Sequence, residues 1–421
     1  MPGATIPSVS LETAEYLISP SANQVLMEAT AFRDDHFDLL QAITRLRKLC
    51  SPEQALAAWE LVQLRTRAVA KFGVSAECMF FTREALEQAS SMLAAEYHAR
   101  RFTESGCENV IEVGCGIGAD TLVFARTKIR VTAYEIDPER ALFIQANVDV
   151  LGLGEFAKVV PSDGLPHLSG AQGIWIDPAR RTNAKRVSDP ESYTPPLSVV
   201  NSFAKGDCVL WGVKIAPSVR HELASIYNCD LEFVSDSGEC KEGILWGGKT
   251  AGEGIPSVSA VVLTGERVVR VSHVIEGVRT SVIDSGKSYL FEPDPAVIRA
   301  HLVEDLGVQL QARPIDPRVA YLVGHTAFFT PLAVTYEIIQ TTNYSRRNLQ
   351  SIVDAHGIGK LIVKKRGFDI EPEDLVKQIK MKGKHEAIVV IARVETGHQL
   401  LLVRRLVSTD NSAALSDQTP L

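Results

Sequence analysis

The first 80 residues carry apolar side chains at helical spacing. Ser51 is placed to cap a helix, with a proline in its first turn and Gln54 at the capping-box position. The next residues form one apolar stripe, which consists of Ala55, Leu56, Trp59, Leu61, Val62 and Leu64. Thr82 is placed to cap a further helix over residues 83–101. The pattern predicts an N-terminal helical region over residues 1–81.

From residue 109 onward, short apolar runs alternate with helical stretches, which is typical of a parallel sheet covered by helices. The predicted strands are 110–113, 131–135, 157–160, 173–176 and 208–213, and the predicted helices are 120–126, 138–151 and 218–227. Two later apolar runs, 231–235 and 258–263, are predicted to pair antiparallel and close the sheet. We therefore expect an α/β fold with a doubly wound seven-stranded sheet over residues 82–265.

The remaining chain is predicted to form two small α+β modules and a tail. The first module, residues 266–340, is expected to be ferredoxin-like. The second, residues 341–406, has predicted strands at 359–365, 386–394 and 399–403 and a helix at 372–381. The last residues, 407–421, are small and polar, and they are predicted to be disordered.

Composition limits the class of protein. No apolar run reaches about 18 residues, the length that crosses a bilayer. The N-terminus lacks the basic and apolar segments of a signal peptide. Seven cysteines, an odd number, occur without the spacing of a disulfide framework or a zinc site. We therefore expect a cytoplasmic protein with no membrane segment and no metal.

Charge is distributed unevenly along the chain. Residues 343–406 contain 13 lysines and arginines against 7 acidic residues, a net charge of +6. Because the whole chain carries −7, the rest of it carries −13. A basic C-terminal segment on an acidic body indicates an anionic partner for that segment.

A glycine-rich loop follows the first predicted strand, in the sequence Val110-Ile-Glu-Val-Gly-Cys-Gly-Ile-Gly118. Gly114, Gly116 and Gly118 permit backbone conformations and close approaches that a Cβ atom would prevent. With Ala119 the loop also satisfies the dinucleotide fingerprint of dehydrogenases. The glycines alone therefore predict a nucleotide-type ligand without identifying it.

Acidic residues at successive strand ends distinguish this loop from that of a dehydrogenase. Glu112 lies two residues before the first glycine, where a carboxylate would repel a pyrophosphate. Glu135 ends the second strand, at the spacing of a carboxylate that binds both ribose hydroxyls. Asp163 follows the third strand and Asp177-Pro178 the fourth. Taken singly, each acid is also explained as a solvated strand end or a turn former, but open α/β sheets bind ligands at this edge.

These residues resemble the motifs of class I S-adenosylmethionine-dependent methyltransferases. The resemblance covers residues 82–265 and implies a Rossmann-like fold with S-adenosylmethionine as the cofactor. Glu112 would address the aminoacyl end of the cofactor, Glu135 the ribose and Asp163 the adenine amino group. Asp177 would lie between cofactor and methyl acceptor.

A narrower resemblance covers most of the chain. The phrases Phe81-Thr-Arg-Glu-Ala-Leu-Glu-Gln-Ala89, Asp177-Pro-Ala-Arg-Arg181 and Glu292-Pro-Asp294, together with the basic C-terminal segment, are similar to bacterial methyltransferases with a C-terminal THUMP-like domain. Because THUMP modules bind RNA, this resemblance implies an RNA partner.

The fourth strand end predicts the groups that face the methyl acceptor. Asp177, Pro178 and Arg180 are the predicted catalytic residues, since similar tetrads in amine methyltransferases orient the acceptor. Here Ala179 and Arg180 replace the second proline and the aromatic residue of those tetrads, so the kind of acceptor atom stays open. The tetrad also resembles the Asp-Pro-Pro-Arg of uridine carbon-5 methyltransferases, but those enzymes need a cysteine nucleophile after the next strand, and residues 210–217 contain no cysteine. Cys240 is read as an ordinary turn thiol, and Lys214 as either a participant or a lysine that reaches the sheet edge.

The basic segment predicts an RNA substrate, tRNA or rRNA, because lysine and arginine neutralise phosphates. Lys364, Lys365 and Arg366 end a predicted strand and are the candidate RNA contacts, followed by Phe368, which could stack on a base. A solvated face interleaved with acidic residues is the alternative explanation of the same pattern.

Three other functions fit the sequence less well. A methyltransferase of a protein or small molecule would keep the cofactor site and make the basic segment incidental. A non-catalytic RNA-binding protein would retain the S-adenosylmethionine site only as a sensor. A dehydrogenase leaves Glu112 and Asp177-Pro178 without a role.

Overall fold

The computed structural model describes residues 10–182, 185–186, 189–250, 257–265, 267–273 and 288–407. The chain forms two compact units. The first comprises Met1–Asp230 and Gly243–Pro256, and the second comprises Leu231–Glu242 and Ser257–Leu421. The predicted tail from residue 408 onward lies outside the described residues.

The first unit begins with six helices: α1 (Leu11–Ile18), α2 (Asn23–Asp34), α3 (Leu39–Leu46), α4 (Pro52–Phe72), α5 (Arg83–Gln88) and α6 (Met92–Glu104). The predicted helix start at Ser51 is confirmed. Its side chain accepts from the Gln54 amide, and the Gln54 side chain accepts from the Ser51 amide. Helices α1, α2 and α3 pack against the long α4, which buries the predicted apolar stripe except for the half-buried Leu56.

The single helix predicted over residues 83–101 is wrong, because the structure breaks it between α5 and α6. The ends of both helices are satisfied locally. Lys71 Nζ donates to the carbonyls of Leu86 and Ala89, at 2.7 and 3.0 Å, and Ser91 accepts from the Ala94 amide to cap α6. The break leaves Ser90 outside both helices, and its hydroxyl lies in the site described below.

The sheet of the first unit is built from short parallel strands. The elements that follow α6 are β1 (Asn109–Val113), α7 (Ala119–Arg126), β2 (Arg130–Tyr134), α8 (Pro138–Val150), β3 (Ala157–Val160), β4 (Gly173–Ile176), β5 (Arg181–Thr182), β6 (Lys185–Arg186), β7 (Leu210–Ile215), α9 (Glu222–Tyr227), β8 (Asp230–Asp236) and β9 (Glu239–Gly247). Strands β3, β2, β1, β4 and β7 lie in this order and run parallel, and residues 243–247 of β9 pair antiparallel with β7. The predicted α/β class is confirmed.

Strand β9 was not predicted, because its glycines and charged residues interrupt the apolar pattern. In the second unit, β8 pairs with β10 (Val258–Thr264), which is followed by β11 (Arg267–Ser272). The pairing of β8 with β10 is parallel, so the predicted antiparallel closing pair is wrong. Alternation of side chains along a strand reports which face is buried but not the direction of its neighbour.

The rest of the second unit contains one seven-stranded sheet. Its elements are β12 (Tyr289–Pro293), α10 (Pro295–Arg299), α11 (Val303–Gln309), β13 (Arg313–Pro314), β14 (Leu322–Gly324), β15 (Ala333–Asn343), α12 (Arg346–Ala355), β16 (Ile358–Arg366), α13 (Pro372–Lys377), β17 (His385–Val394) and β18 (Gly397–Arg405). The strand order is β13, β14, β12, β15, β18, β17, β16, and every pair is antiparallel except β16 with β17. Residues of α12 and α13 cover one buried face, with Leu349, Ile352, Val353 and Leu375 in its core.

Candidate active site

The parallel strands of the first unit end at one edge of the sheet. Val113 of β1 is level with Tyr134 of β2 and with Ile176 of β4, and Tyr134 is level with Val160 of β3. The glycine loop, Glu135, Asp163 and Asp177 each follow one of these strand ends. The structure therefore brings the predicted site residues of all four strands to one edge, where open α/β sheets bind ligands.

The glycine loop is shaped by two close approaches and one opening. Gly114 has φ +78°, and a Cβ atom there would lie 2.5 Å from the carbonyl oxygen of Asp177. Gly118 has φ +82°, and a Cβ atom would lie 2.9 Å from Ile144 Cγ2. A Cβ atom on Gly116, in contrast, would meet nothing within 4 Å. Two of the glycines thus serve packing, whereas Gly116 borders open space.

Glu135 is buried and holds the glycine loop. Its Oε2 accepts from the Gly116 amide at 2.9 Å, and its Oε1 accepts from the Asp137 amide at 3.0 Å. Burial raises the pKa of Glu135, and these two amides oppose the rise. Each carboxylate oxygen has a second lone pair, so a hydroxyl pair of a ligand can still bind. Ile136, the next residue, is 73% exposed, and it was not predicted as a site residue although a large apolar side chain after the strand-ending acid was the available signal.

Glu112 lies in the interior rather than on the loop surface. Its side chain is 1% exposed, and its Oε2 accepts from Thr121 Oγ1 at 2.6 Å. Burial raises the pKa of Glu112 well above its ordinary range, and the neighbouring Asp120 carboxylate adds to the rise. The structure thus shows Glu112 joining β1 to α7, and a contact of Glu112 with the aminoacyl end of a cofactor stays a prediction.

Asp163 lies at the surface, where its Oδ1 accepts from the Leu165 amide at 3.0 Å and caps a short 3₁₀ turn. The turn carries His167, whose ring stacks on Tyr134 with centroids 5.0 Å apart. Gly164 makes this packing possible, because a Cβ atom there would lie 2.8 Å from Tyr134. The proposed contact of Asp163 with adenine stays a prediction.

Asp177 is the first member of a buried polar network that also includes Lys214, Ser90, Asp120 and His98. Lys214 Nζ lies 2.8 Å from Asp177 Oδ2 and donates to Ser90 Oγ at 2.9 Å. Ser90 Oγ donates to Asp120 Oδ2 at 3.3 Å, and His98 Nδ1 lies 2.7 Å from Asp120 Oδ1. The network leads from Asp177 at the strand end into the interior, and Lys214 is the residue that links Asp177 to Ser90.

The charged side chains of this network are buried next to side chains of opposite charge. The side chain of Lys214 is only 4% exposed, and that of Asp177 is 24% exposed. His98 is fully buried, and its ring packs on Trp175 with centroids 4.3 Å apart. Sequence reasoning missed Ser90, Asp120 and His98, because they lie more than 50 residues before Asp177 in the chain.

The segment after Asp177 is held in place by its backbone. Ala179 exchanges two hydrogen bonds with Thr194, at 2.8 and 3.1 Å, and Pro178 is buried. Arg180 Nη1 donates to the carbonyl of Ile215, at the end of β7, at 3.2 Å. These contacts orient the Asp177 carboxylate, whose Oδ1 makes no hydrogen bond with any described residue.

Cys240 lies in β9, so its predicted position in a loop is wrong. Burial raises the pKa of its thiol to about 12, and the carboxylate of Asp294 adds to the rise. Cys115 in the glycine loop is also buried, with a pKa raised well above its ordinary value. Burial therefore disfavours the reactive thiolate at both positions.

In the second unit, the three predicted RNA contacts at the end of β16 are all ion-paired. Lys364 and Arg366 lie 2.6 and 3.9 Å from the Glu292 carboxylate, and Lys365 lies 2.8 Å from that of Glu371. Phe368 packs edge-on against Tyr344 and His398, with centroids 4.7 and 5.2 Å apart. The charges of this strand end are therefore largely balanced by the unit itself.

Both units of the chain are similar to known proteins. A family profile described as THUMP domain-like matches residues 333–405, and a profile for a domain of unknown function matches residues 10–68. The chain is 29% identical over 350 residues to an uncharacterised S-adenosylmethionine-dependent methyltransferase of Mycobacterium tuberculosis. The alignment covers 81% of this chain and 94% of that relative.

A solved structure shows the same fold. A crystal structure of a candidate methyltransferase from Porphyromonas gingivalis superposes with a TM-score of 0.71 at 21% identity, over 88% of this chain and 100% of that one.

Among the described residues, no helix is both long and apolar enough to cross a membrane.

Proposed function

Because this chain belongs to the S-adenosylmethionine-dependent methyltransferases with a C-terminal THUMP-like domain, we propose that it methylates a base of RNA. The observation that carries the proposal is the THUMP-like match at residues 333–405, which overlaps the basic segment 343–406 of net charge +6. We propose that residues 82–265 bind the cofactor and carry out the transfer, and that residues 341–406 bind the RNA. Phosphate neutralisation is the main source of affinity for such a partner.

The strand-end residues fit the cofactor. The buried Glu135 carboxylate offers two oxygens that keep free lone pairs, as a ribose diol requires. Gly116 borders open space beside that carboxylate, and the exposed Ile136 offers an apolar surface to a flat ring. S-adenosylmethionine supplies an activated methyl group on a sulfonium. The protein then mainly has to align the acceptor and exclude water.

Asp177 is the residue that we propose to orient the acceptor. Its Oδ2 is held by Lys214, and its Oδ1 is left to accept from an N–H of the acceptor. Pro178 and Arg180 complete the same segment, in which Arg180 fixes the chain to the end of β7. Fixing one carboxylate oxygen reduces the number of orientations in which the acceptor binds, which favours in-line transfer.

A cytoplasmic location is part of the proposal. All seven cysteines are free thiols, which is the state that a reducing compartment maintains.

The proposal is tested with purified full-length protein, tritiated S-adenosylmethionine and total RNA. We expect label in a fraction that ribonuclease releases, and we expect Asp177→Asn to lower kcat about 100-fold or more while cofactor affinity stays unchanged. Label found only in protein or in small molecules would contradict the RNA proposal and favour the other acceptor classes. Tight cofactor binding without transfer in any extract would instead favour a non-catalytic RNA-binding protein.

A further inference from the structure

The cations of the THUMP-like segment fall into two sets. Six of the 13 lysines and arginines between residues 343 and 406 are ion-paired, namely Lys360, Lys364, Lys365, Arg366, Lys377 and Arg404. The other seven are exposed and form no ion pair with any described residue, namely Arg346, Arg347, Lys380, Lys382, Lys384, Arg393 and Arg405. Only the second set has its full charge available to a partner, because an existing counter-ion must be displaced from the first.

Five members of the second set come from two neighbouring segments. Arg346 and Arg347 begin α12, and Lys380, Lys382 and Lys384 lie between α13 and β17. We call these five residues the cationic strip. The sequence separates its two parts by more than 30 residues, so their proximity is a result of the fold.

Gln350 joins the two parts. Its Nε2 donates to the carbonyl of Lys380 at 2.9 Å, and its Oε1 accepts from the Lys380 amide at 2.9 Å. Gln350 follows Arg346 by four residues and Arg347 by three, so all three side chains lie on one side of α12. The bidentate bond therefore places Lys380 on the same side of the helix as the two arginines.

The other end of the lysine segment is fixed beyond the end of α12. The amides of Lys384 and His385 both donate to the carbonyl of Gly357, at 3.0 and 3.1 Å. The approach is tight, since a Cβ atom on Gly383 would lie 1.7 Å from that carbonyl oxygen. The lysine segment thus runs beside α12 from Gln350 to Gly357. With ten residues in α12 and a rise of about 1.5 Å per residue, the strip is about 15 Å long.

Side chains alternate along the lysine segment. Ile379 is buried, and Met381 packs against the core beneath α12 and α13, whereas Lys380, Lys382 and Lys384 are exposed. Among the described residues, the one acidic side chain that hydrogen-bonds to this arrangement is Asp354, whose Oδ1 accepts from Gln350 Nε2 at 2.9 Å. Five cations against one carboxylate leave a strongly positive strip on a fixed backbone.

We propose that the cationic strip, rather than the β16 residues Lys364, Lys365 and Arg366, binds the sugar–phosphate backbone of the RNA substrate. This inference rests on the proposed RNA methyltransferase function. A row of exposed lysines and arginines contacts successive phosphates and carries affinity without sequence specificity. The β16 cations serve the fold instead, because Glu292 holds Lys364 and Arg366 beside the rings of Tyr336 and Tyr321.

The test compares two double variants of the full chain with equal change of net charge. Lys380→Gln/Lys382→Gln removes two strip lysines, and Lys360→Gln/Lys377→Gln removes two exposed lysines that are paired with acids. Binding of total tRNA is measured at several salt concentrations. For the strip variant we expect the slope of log K against log salt to fall by about 2, one unit for each lysine that no longer neutralises a phosphate, and for the control we expect little change.

Equal reductions of affinity in the two variants, or an unchanged slope in the strip variant, would overturn the proposed surface. Tight binding of polyglutamate with the same salt slope would also overturn it, because the strip would then bind any polyanion. Unchanged S-adenosylmethionine affinity and melting temperature in both variants show that the fold is intact. If wild-type protein neither binds nor methylates RNA, the proposed function fails, whereas RNA methylation that survives removal of the strip refutes only the strip.

Discussion

Lys214→Met tests how much the buried polar network contributes to the first unit. The substitution removes the cation between Asp177 and Ser90 but keeps a long unbranched side chain, so little cavity is created. It leaves the Asp177 carboxylate without its ion partner. It also removes the positive charge that is linked to Asp120 through the Ser90 hydroxyl. The expected effect is therefore electrostatic rather than one of packing.

The structure sets the size of the effect. Removing one partner of a fully buried ion pair costs about 3–5 kcal/mol. Because the Asp177 side chain is 24% exposed, water replaces part of the missing interaction, and we expect a cost near the lower limit, about 3 kcal/mol. For a unit of this size, that corresponds to a fall in Tm of roughly 6–12 °C.

The measurement is thermal unfolding of wild type, Lys214→Met, Asp177→Asn and the double variant. We expect the double variant to be more stable than the sum of the single effects implies, by at least about 1 kcal/mol. Lys249→Met is the matched control, since Lys249 pairs with Asp207 at the same 2.8 Å distance but at the surface, and we expect no measurable change in Tm. A Lys214→Met variant as stable as wild type, or strict additivity in the double variant, would refute the reasoning.

Three further substitutions test the same unit. Gly114→Ala places a Cβ atom 2.5 Å from the Asp177 carbonyl and should weaken S-adenosylmethionine binding at least about 10-fold by calorimetry, whereas Gly170→Ala, with the same φ of +78° and open space, should not. Glu135→Gln removes a charged acceptor shared by two backbone amides and should raise the cofactor Kd about 10- to 100-fold. Glu139 has a pKa raised to about 7 because it is buried, so the folded state loses stability as pH rises from 4.5 to 7. We expect Glu139→Gln to abolish this loss of stability, which amounts to about 1–3 kcal/mol. The measurement is the Tm of wild type and variant at pH 5 and pH 7.5.

Each of the three has a result that would contradict it. Equal effects of the two glycine substitutions would mean that backbone strain, not the contact with Asp177, limits binding. A Glu135→Gln variant with wild-type affinity would exclude that carboxylate from the ribose contact. A difference between wild type and Glu139→Gln that does not change with pH would show that Glu139 ionises normally in the folded protein.

Local sequence predicted the elements whose formation depends on neighbouring residues. The Ser51 cap, the alternation of strands and helices after residue 109 and the glycine loop all have short-range physical causes, such as an unsatisfied amide or a positive φ. The strand-end acids could be predicted for a similar reason, because parallel strands joined by helices must end at one edge. Their local contacts could not be predicted, since the hydrogen bonds of Glu112 to Thr121 and of Asp163 to the Leu165 amide depend on the folded backbone.

Features that depend on distant parts of the chain were missed or predicted wrongly. The helix break at Ser90 depends on Lys71, which bonds the carbonyls at the end of α5. The parallel pairing of β8 and β10 depends on which strands lie side by side, and the alternation of apolar residues is the same in either direction.

By itself, the sequence determined the class of fold, the edge of the sheet that carries the site and the excess of positive charge near the C-terminus. Only the tertiary structure decided which of those charges remain available and which polar groups act together. Lys364 and Lys380 look alike in the sequence, yet one is bound to Glu292 and the other has no ion pair among the described residues. The physical reason is that ion pairing and burial arise between residues far apart in the chain, so composition and periodicity do not encode them.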